Sequence, residues 1–167
     1  MAKSGRAAAV EDLQRVLAFK GEIMSAAQRH GARACVVAAI LSRETRGLPK
    51  FFIGDGGHGC GPMQIDDRSF PDVCREYKAG RKTNAEMIDF GAKVLREKVM
   101  ALRENRHLGG DRVKLECAGI AAYNCGQGNV AKLLAAGRDV DAYTTGKDYS
   151  ADVLERAAFF AENGFGG

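Results

Sequence analysis

The chain has 167 residues, 46% hydrophobic and 28% charged, a balance that suits one globular domain with its own core and excludes a disordered or fibrous chain. No apolar run approaches the ~20 residues that a bilayer crossing needs, so membrane insertion is not expected. The net charge of +4 is mild, and Lys/Arg alternate with Asp/Glu without forming a block, which argues against nucleic acid and leaves polyanionic surfaces as targets.

The start, MAKSGRAAAVEDLQRV, has no apolar segment between a basic end and a cleavage site. That leaves a mature form, another export route or retention in the cell. Val10, Leu13, Leu17, Met24 and Ala27 predict an amphipathic helix across 8–30. Residues 33–46, RACVVAAILSRETR, predict a helix apolar all round until its last turn, and therefore buried. From 51 to 66, short apolar pieces separated by glycines predict a small irregular hairpin. Thr83 and Glu86 have capping-box spacing at the head of a long helix to about Asn105. Further helices are expected over 111–123, from Asn129 to Gly137, and from about Asp148 to Asn163, where Asn-Gly makes a C-cap. The fold class expected is α+β, mainly helical, with a small β element.

The stretch GDGGHGCGPMQIDD, from residue 54, places five glycines in eight positions and then two aspartates. Glycine costs conformational entropy, so such density marks sharp bends or a close approach to something. Gly54-x-Gly56-x-x-Gly59 matches a dinucleotide pattern, but Cys-Gly-Pro-Met-Gln follows where a helix should open. His58 and Cys60 are two apart, yet no second close pair completes a metal site, so no metal is expected. Five cysteines, Cys35, Cys60, Cys74, Cys117 and Cys125, include no C-x-x-C pair, and the odd count leaves a free thiol in a monomer.

Carboxylates carry more. Glu44 follows the apolar run CVVAAIL, where partial desolvation would disfavour its charged form and suit it to donate a proton. Asp55 sits on the glycine loop and Asp66 at the end of the hairpin, where amides and water keep a carboxyl ionised. One protonated carboxyl facing ionised ones is an arrangement for glycosidic hydrolysis. The residues alone leave the plainer roles open: Glu44 paired with Arg43 or Arg46, Asp55 as a turn residue, Asp66 or Asp67 as a cap.

Three segments in order, LSRETRG (41–47), GDGGHGCGPMQID (54–66) and AAYNCGQGNV (121–130), together resemble goose-type lysozymes, within the group that includes soluble lytic transglycosylases. TTGKDYSADVLERAAFF resembles that family's entry into its C-terminal helix, so the likeness spans about residues 34–165. It implies a single lysozyme-like domain over 1–167, with about residues 1–10 left open to disorder. It implies Glu44 as general acid, with Asp55 and Asp66 holding the attacking water. Gln64, Tyr123, Asn124 and Tyr149 match positions lining the sugar cleft. The implied reaction is inverting hydrolysis of the β-1,4 bond between N-acetylmuramic acid and N-acetylglucosamine, with no cofactor. A lytic transglycosylase using Glu44 alone, or a silent wall-binding module, is the alternative.

Peptidoglycan is the implied partner, a lysozyme inhibitor protein a second, and the chain is expected to act as a monomer. Action is expected outside the cell at the bacterial wall, or after phage-type accumulation in the cytoplasm. The chain departs from the family's pattern at Pro62, Phe70 and Cys125, where leucine, histidine and alanine are usual. Because Cys60 and Cys125 both fall in cleft-forming turns, a disulfide between them is an expectation.

Overall fold

The computed structural model describes residues 4–48 and 53–166, and the side chains of residues 53–55 lie outside that description. Ser4 accepts a hydrogen bond from the Ala7 amide and caps helix α1, Gly5–Leu17, which therefore begins inside the stretch left open to disorder. The helix expected over 8–30 is two helices. α1 ends at Ala18, and α2 runs Lys20–His30 to a left-handed Gly31. The break turns Val16 and Ile23 into the core, whereas Val10 and Met24, expected on the apolar face, are exposed.

α3, Ala34–Thr45, is buried along almost its whole length. Ile40 and Leu41 are fully enclosed, and each such burial contributes ~1.5–3 kcal/mol. Next come three two-residue strands, β1 Ile53–Gly54, β2 Gly59–Cys60 and β3 Ile65–Asp66, paired antiparallel in that order. Gly59 faces both Gly54 and Asp66 in the register. The next helix, α4, Pro71–Lys78, was not anticipated; its proline at the first helical position suits a helix start. α5, Asn84–Leu102, opens with the Thr83–Glu86 capping box. α6 Arg112–Cys125, α7 Gln127–Ala135 and α8 Tyr149–Phe160 complete the helices, with short 3₁₀ turns between them and a π turn, Ala161–Phe165, at the end.

α3 is the central helix, packed against α8, α1 and α2. α5 lies across α2 and α6. A second apolar cluster joins α6 to α7 through Leu102, Ala122 and Val130. A third, of Ile65, Tyr77, Met87 and the Cys60–Cys74 disulfide, fastens the sheet to α4 and α5. The disulfide corrects the expected pairing: Cys60 joins Cys74, with Cα atoms 6.0 Å apart, and Cys125 is a free thiol. Strands β2 and β3 pack on α4, which puts Cys74 against Cys60, while Cys125 lies with the sheet on the cleft.

Candidate active site

The C-terminal end of α3 is set by a buried polar cluster. The Asp12 carboxylate, with no exposed surface, accepts from Ser42 Oγ at 2.8 Å, Arg46 Nε at 3.0 Å and Arg15 Nη2 at 2.5 Å. Arg156 on α8 reaches Ser42 Oγ at 2.8 Å and Asp152 at 2.7 Å. Arg43 pairs with Asp148 at 3.0 Å and Asp152 at 3.1 Å. Of the two arginines beside Glu44 in the sequence, Arg43 pairs with Asp148 and Asp152, and Arg46 pairs with Glu11 and Asp12.

Glu44 is half-buried and receives a hydrogen bond of 2.5 Å from the Tyr149 hydroxyl. Tyr149 is 2% exposed, and Arg43 lies over its ring at 5.7 Å. Burial first, and then the neighbouring Glu44, push the Tyr149 hydroxyl well above the ordinary tyrosine range, so it remains a donor. Burial and Glu44 act on Tyr123 in the same direction, and its hydroxyl donates to the Met63 carbonyl at 2.8 Å. Thr45, the residue after Glu44, places its hydroxyl 2.9 Å from the Pro62 carbonyl. Two hydroxyls therefore hold the glycine loop, Thr45 from α3 and Tyr123 from α6.

The loop's glycines serve packing as well as turning. Gly59 is buried, and a methyl group there would overlap the Gln64 side chain. Gly61, with φ +76°, lies against Met87. Gln64 itself occupies the left-handed region at φ +49°, a position that is strained for a residue with a side chain. Its amide donates to the Gly61 carbonyl at 2.9 Å. The segment is not a dinucleotide loop, because Gly59 stands in a strand and no helix opens there.

Asp66 ends β3. Burial pushes its carboxyl up, but hydrogen bonds from Arg68 Nε, the Arg68 amide and Ser69 outweigh this and hold it below the ordinary carboxylate range. Asp67 belongs to a separate set: Lys78 and His58, each at 2.8 Å, lower its pKa and fasten the loop to α4. Asp55 begins a 3₁₀ turn, Asp55–Gly57, and its side chain lies outside the described residues.

A cleft of about 670 Å³ gathers Glu44, Gln64, Asp66, Tyr123 and Asn124 along with Arg68, Phe70, Lys98, Asn129 and Thr145. Asn124 is a wall residue, its Oδ1 accepting from the Thr145 amide at 2.9 Å. Tyr149 does not line this space; it stands behind Glu44. Phe70, half-buried, packs edge-on against Phe90 at 5.1 Å. A second cavity of about 690 Å³ between the α2–α3 turn, α5 and α6 holds none of the predicted site residues.

Sequence reasoning missed Asp141. It is 4% exposed and accepts from the Ser150 amide and hydroxyl and the Ala151 amide, closing the N-terminus of α8 just after Tyr149. An aspartate two residues after Asp139 in a Gly/Asp-rich turn was the available signal, but its target lies nine residues on.

A helix thus carries a carboxyl into a cleft that it shares with a glycine-rich three-stranded element. The family model for Lysozyme g matches residues 2–164. The chain belongs to the lysozyme g family. Lysozyme g of Casuarius casuarius is 30% identical over 164 residues, covering 97% of this chain and 83% of the relative. Lysozyme g of Struthio camelus is 31% identical, covering 97% and 75%. Lysozyme g of the fish Takifugu rubripes is 31% identical, covering 96% and 83%. Membership extends over α1, which precedes the segments that carried the resemblance, and over α8, which supplies Tyr149.

Proposed function

We propose that this member of the lysozyme g family is an inverting muramidase, cleaving the β-1,4 bond between N-acetylmuramic acid and N-acetylglucosamine in peptidoglycan. Glu44 donates a proton to the departing glycosidic oxygen. Asp66, with Asp55 on the neighbouring turn, draws a proton from water on the opposite face of the sugar. Inversion leaves ~6.5–9.5 Å between acid and base to admit that water. Tyr149 orients the Glu44 carboxyl from behind, and Gln64, Tyr123 and Asn124 border the glycan. All of this uses one domain and side chains alone, and it places the chain's work at the bacterial wall after export.

The observation that carries this reading is one cleft with two carboxyls in different surroundings. Glu44 sits half-buried against a tyrosine, while Asp66 is kept ionised by Arg68 and Ser69. A lytic transglycosylase has no need of the second carboxylate. Mass spectrometry of a peptidoglycan digest tests the proposal: hydrated, reducing muramyl ends are expected, and 1,6-anhydro products as the main species would overturn it. Glu44→Gln is expected to lower kcat by ~10³-fold while glycan binding survives.

A further inference from the structure

Helix α5 carries Gly91, Val94 and Lys98 at helical spacing along one face. Gly91 backs onto Met63 beneath the glycine loop, so closely that a methyl group would come 2.5 Å from Met63 Sδ. Val94, 5% exposed, follows as part of the cleft floor. Lys98 is next along this face, half-buried, and it lines the same cleft beside Asn129.

Among the described residues, the charged side chains lining the cleft are Glu44, Asp66, Arg68 and Lys98. Glu44 accepts from Tyr149, and Asp66 is joined to Arg68 at 2.8 Å. The Lys98 ammonium donates to the neutral amide oxygen of Gln127 at 2.5 Å and has no acidic partner among the described residues. An ammonium carries a full positive charge and three donors, so one on a cleft wall with no acidic neighbour is open to an anionic ligand. Gln127 uses one of the three and holds the nitrogen in place for the others.

We infer that Lys98 is a specificity-determining residue that binds a carboxylate carried on the lactyl side of the muramoyl residue, and this rests on the muramidase reading above. The muramoyl lactyl group either ends in a free carboxylate or continues into a stem peptide that has carboxylates of its own. Neutral amino-sugar polymers have neither. Lys98 thus favours wall glycan over uncharged glycan of the same backbone.

The test measures binding of glycan strands to the full chain in a Glu44→Gln background, which removes turnover from the readout. Strands bearing stem peptides, strands stripped of them, and strands of each kind with carboxylates amidated are compared. Lys98→Gln is expected to weaken binding to the carboxylated strands about tenfold and leave the amidated strands unaffected. Lys98→Arg, which keeps the charge, is expected to restore most of the loss. Dependence confined to peptide-bearing strands assigns the carboxylate to the peptide, and dependence confined to stripped strands assigns it to the lactyl group. Equal weakening on native and amidated strands, or no weakening on either, overturns the inference. Failure of the muramidase reading shows separately, as the absence of reducing muramyl ends from a digest by the unaltered chain.

Discussion

The pairing of Asp66 with Arg68 sets the protonation of the residue assigned to hold water. Its carboxyl is depressed, so it stays ionised to lower pH than an ordinary aspartate; any stability it lends is present above the ordinary carboxylate range and fades as pH falls through its folded value. The side chain is 38% exposed, so solvent screens that contribution and activity is the better readout. Arg68→Ala removes two of the interactions that hold the carboxyl down. The acid limb of kcat/KM is then expected to move to higher pH, because the base becomes protonated sooner. A pH–rate profile of the variant checks this; an unmoved acid limb would detach Asp66 from the water. Residue order and the resemblance singled out Asp66 and Glu44, and both line the cleft. Arg68 was not singled out, because a charge two positions from an aspartate is ordinary on any surface and only the bend after β3 brings its Nε to the carboxylate.

At the scale of elements, strands β1–β3 are too short to stand alone, since two-residue strands cannot bury a face of their own. Their rigidity comes from the third apolar cluster and from the disulfide that joins β2 to α4. Removing a cross-link that closes a loop of 14 residues costs about 3 kcal/mol in the chain-entropy account. Cys74→Ser is expected to lower unfolding free energy by about that amount. Thiol reductant should do the same to the unaltered chain and nothing further to the variant, as read by urea unfolding. Helices α3 and α5 were predictable because apolarity and capping are local. α4 was overlooked: PDVCREYK is short and largely charged, and it is a helix because Cys74 and Tyr77 reach the sheet's core.

Across the whole molecule, the buried cluster of Asp12, Ser42, Asp152 and Arg156 ties α1, α3 and α8 together. It fixes the helix that presents Glu44 against the one that presents Tyr149. Asp12→Ala leaves Arg156 in a dry interior with Asp152 as its remaining carboxylate, so the loss is expected at the low end of the range for a broken buried pair, about 3 kcal/mol. Denaturant unfolding measures it. Spectroscopic loss of helix at ambient temperature is not expected at that magnitude. If α1 were a mere appendage, the substitution would cost under ~1 kcal/mol, as exposed pairs do.

The sequence by itself determined the helix-rich fold, the burial of α3, the capping of α5 and the order of motifs that carries Glu44, Asp66 and Tyr123 into the lysozyme g family. These depend on periodicity and on residue types at short spacing, which neighbours in the chain can express. Only the tertiary structure decided that Cys60 joins Cys74, that Tyr149 stands behind Glu44 and not in the cleft wall, and that Asp141 closes α8. Those are contacts between residues far apart in the chain or turned by its bends. Their energies depend on which surfaces the core has already brought together, and no local pattern of residues encodes that.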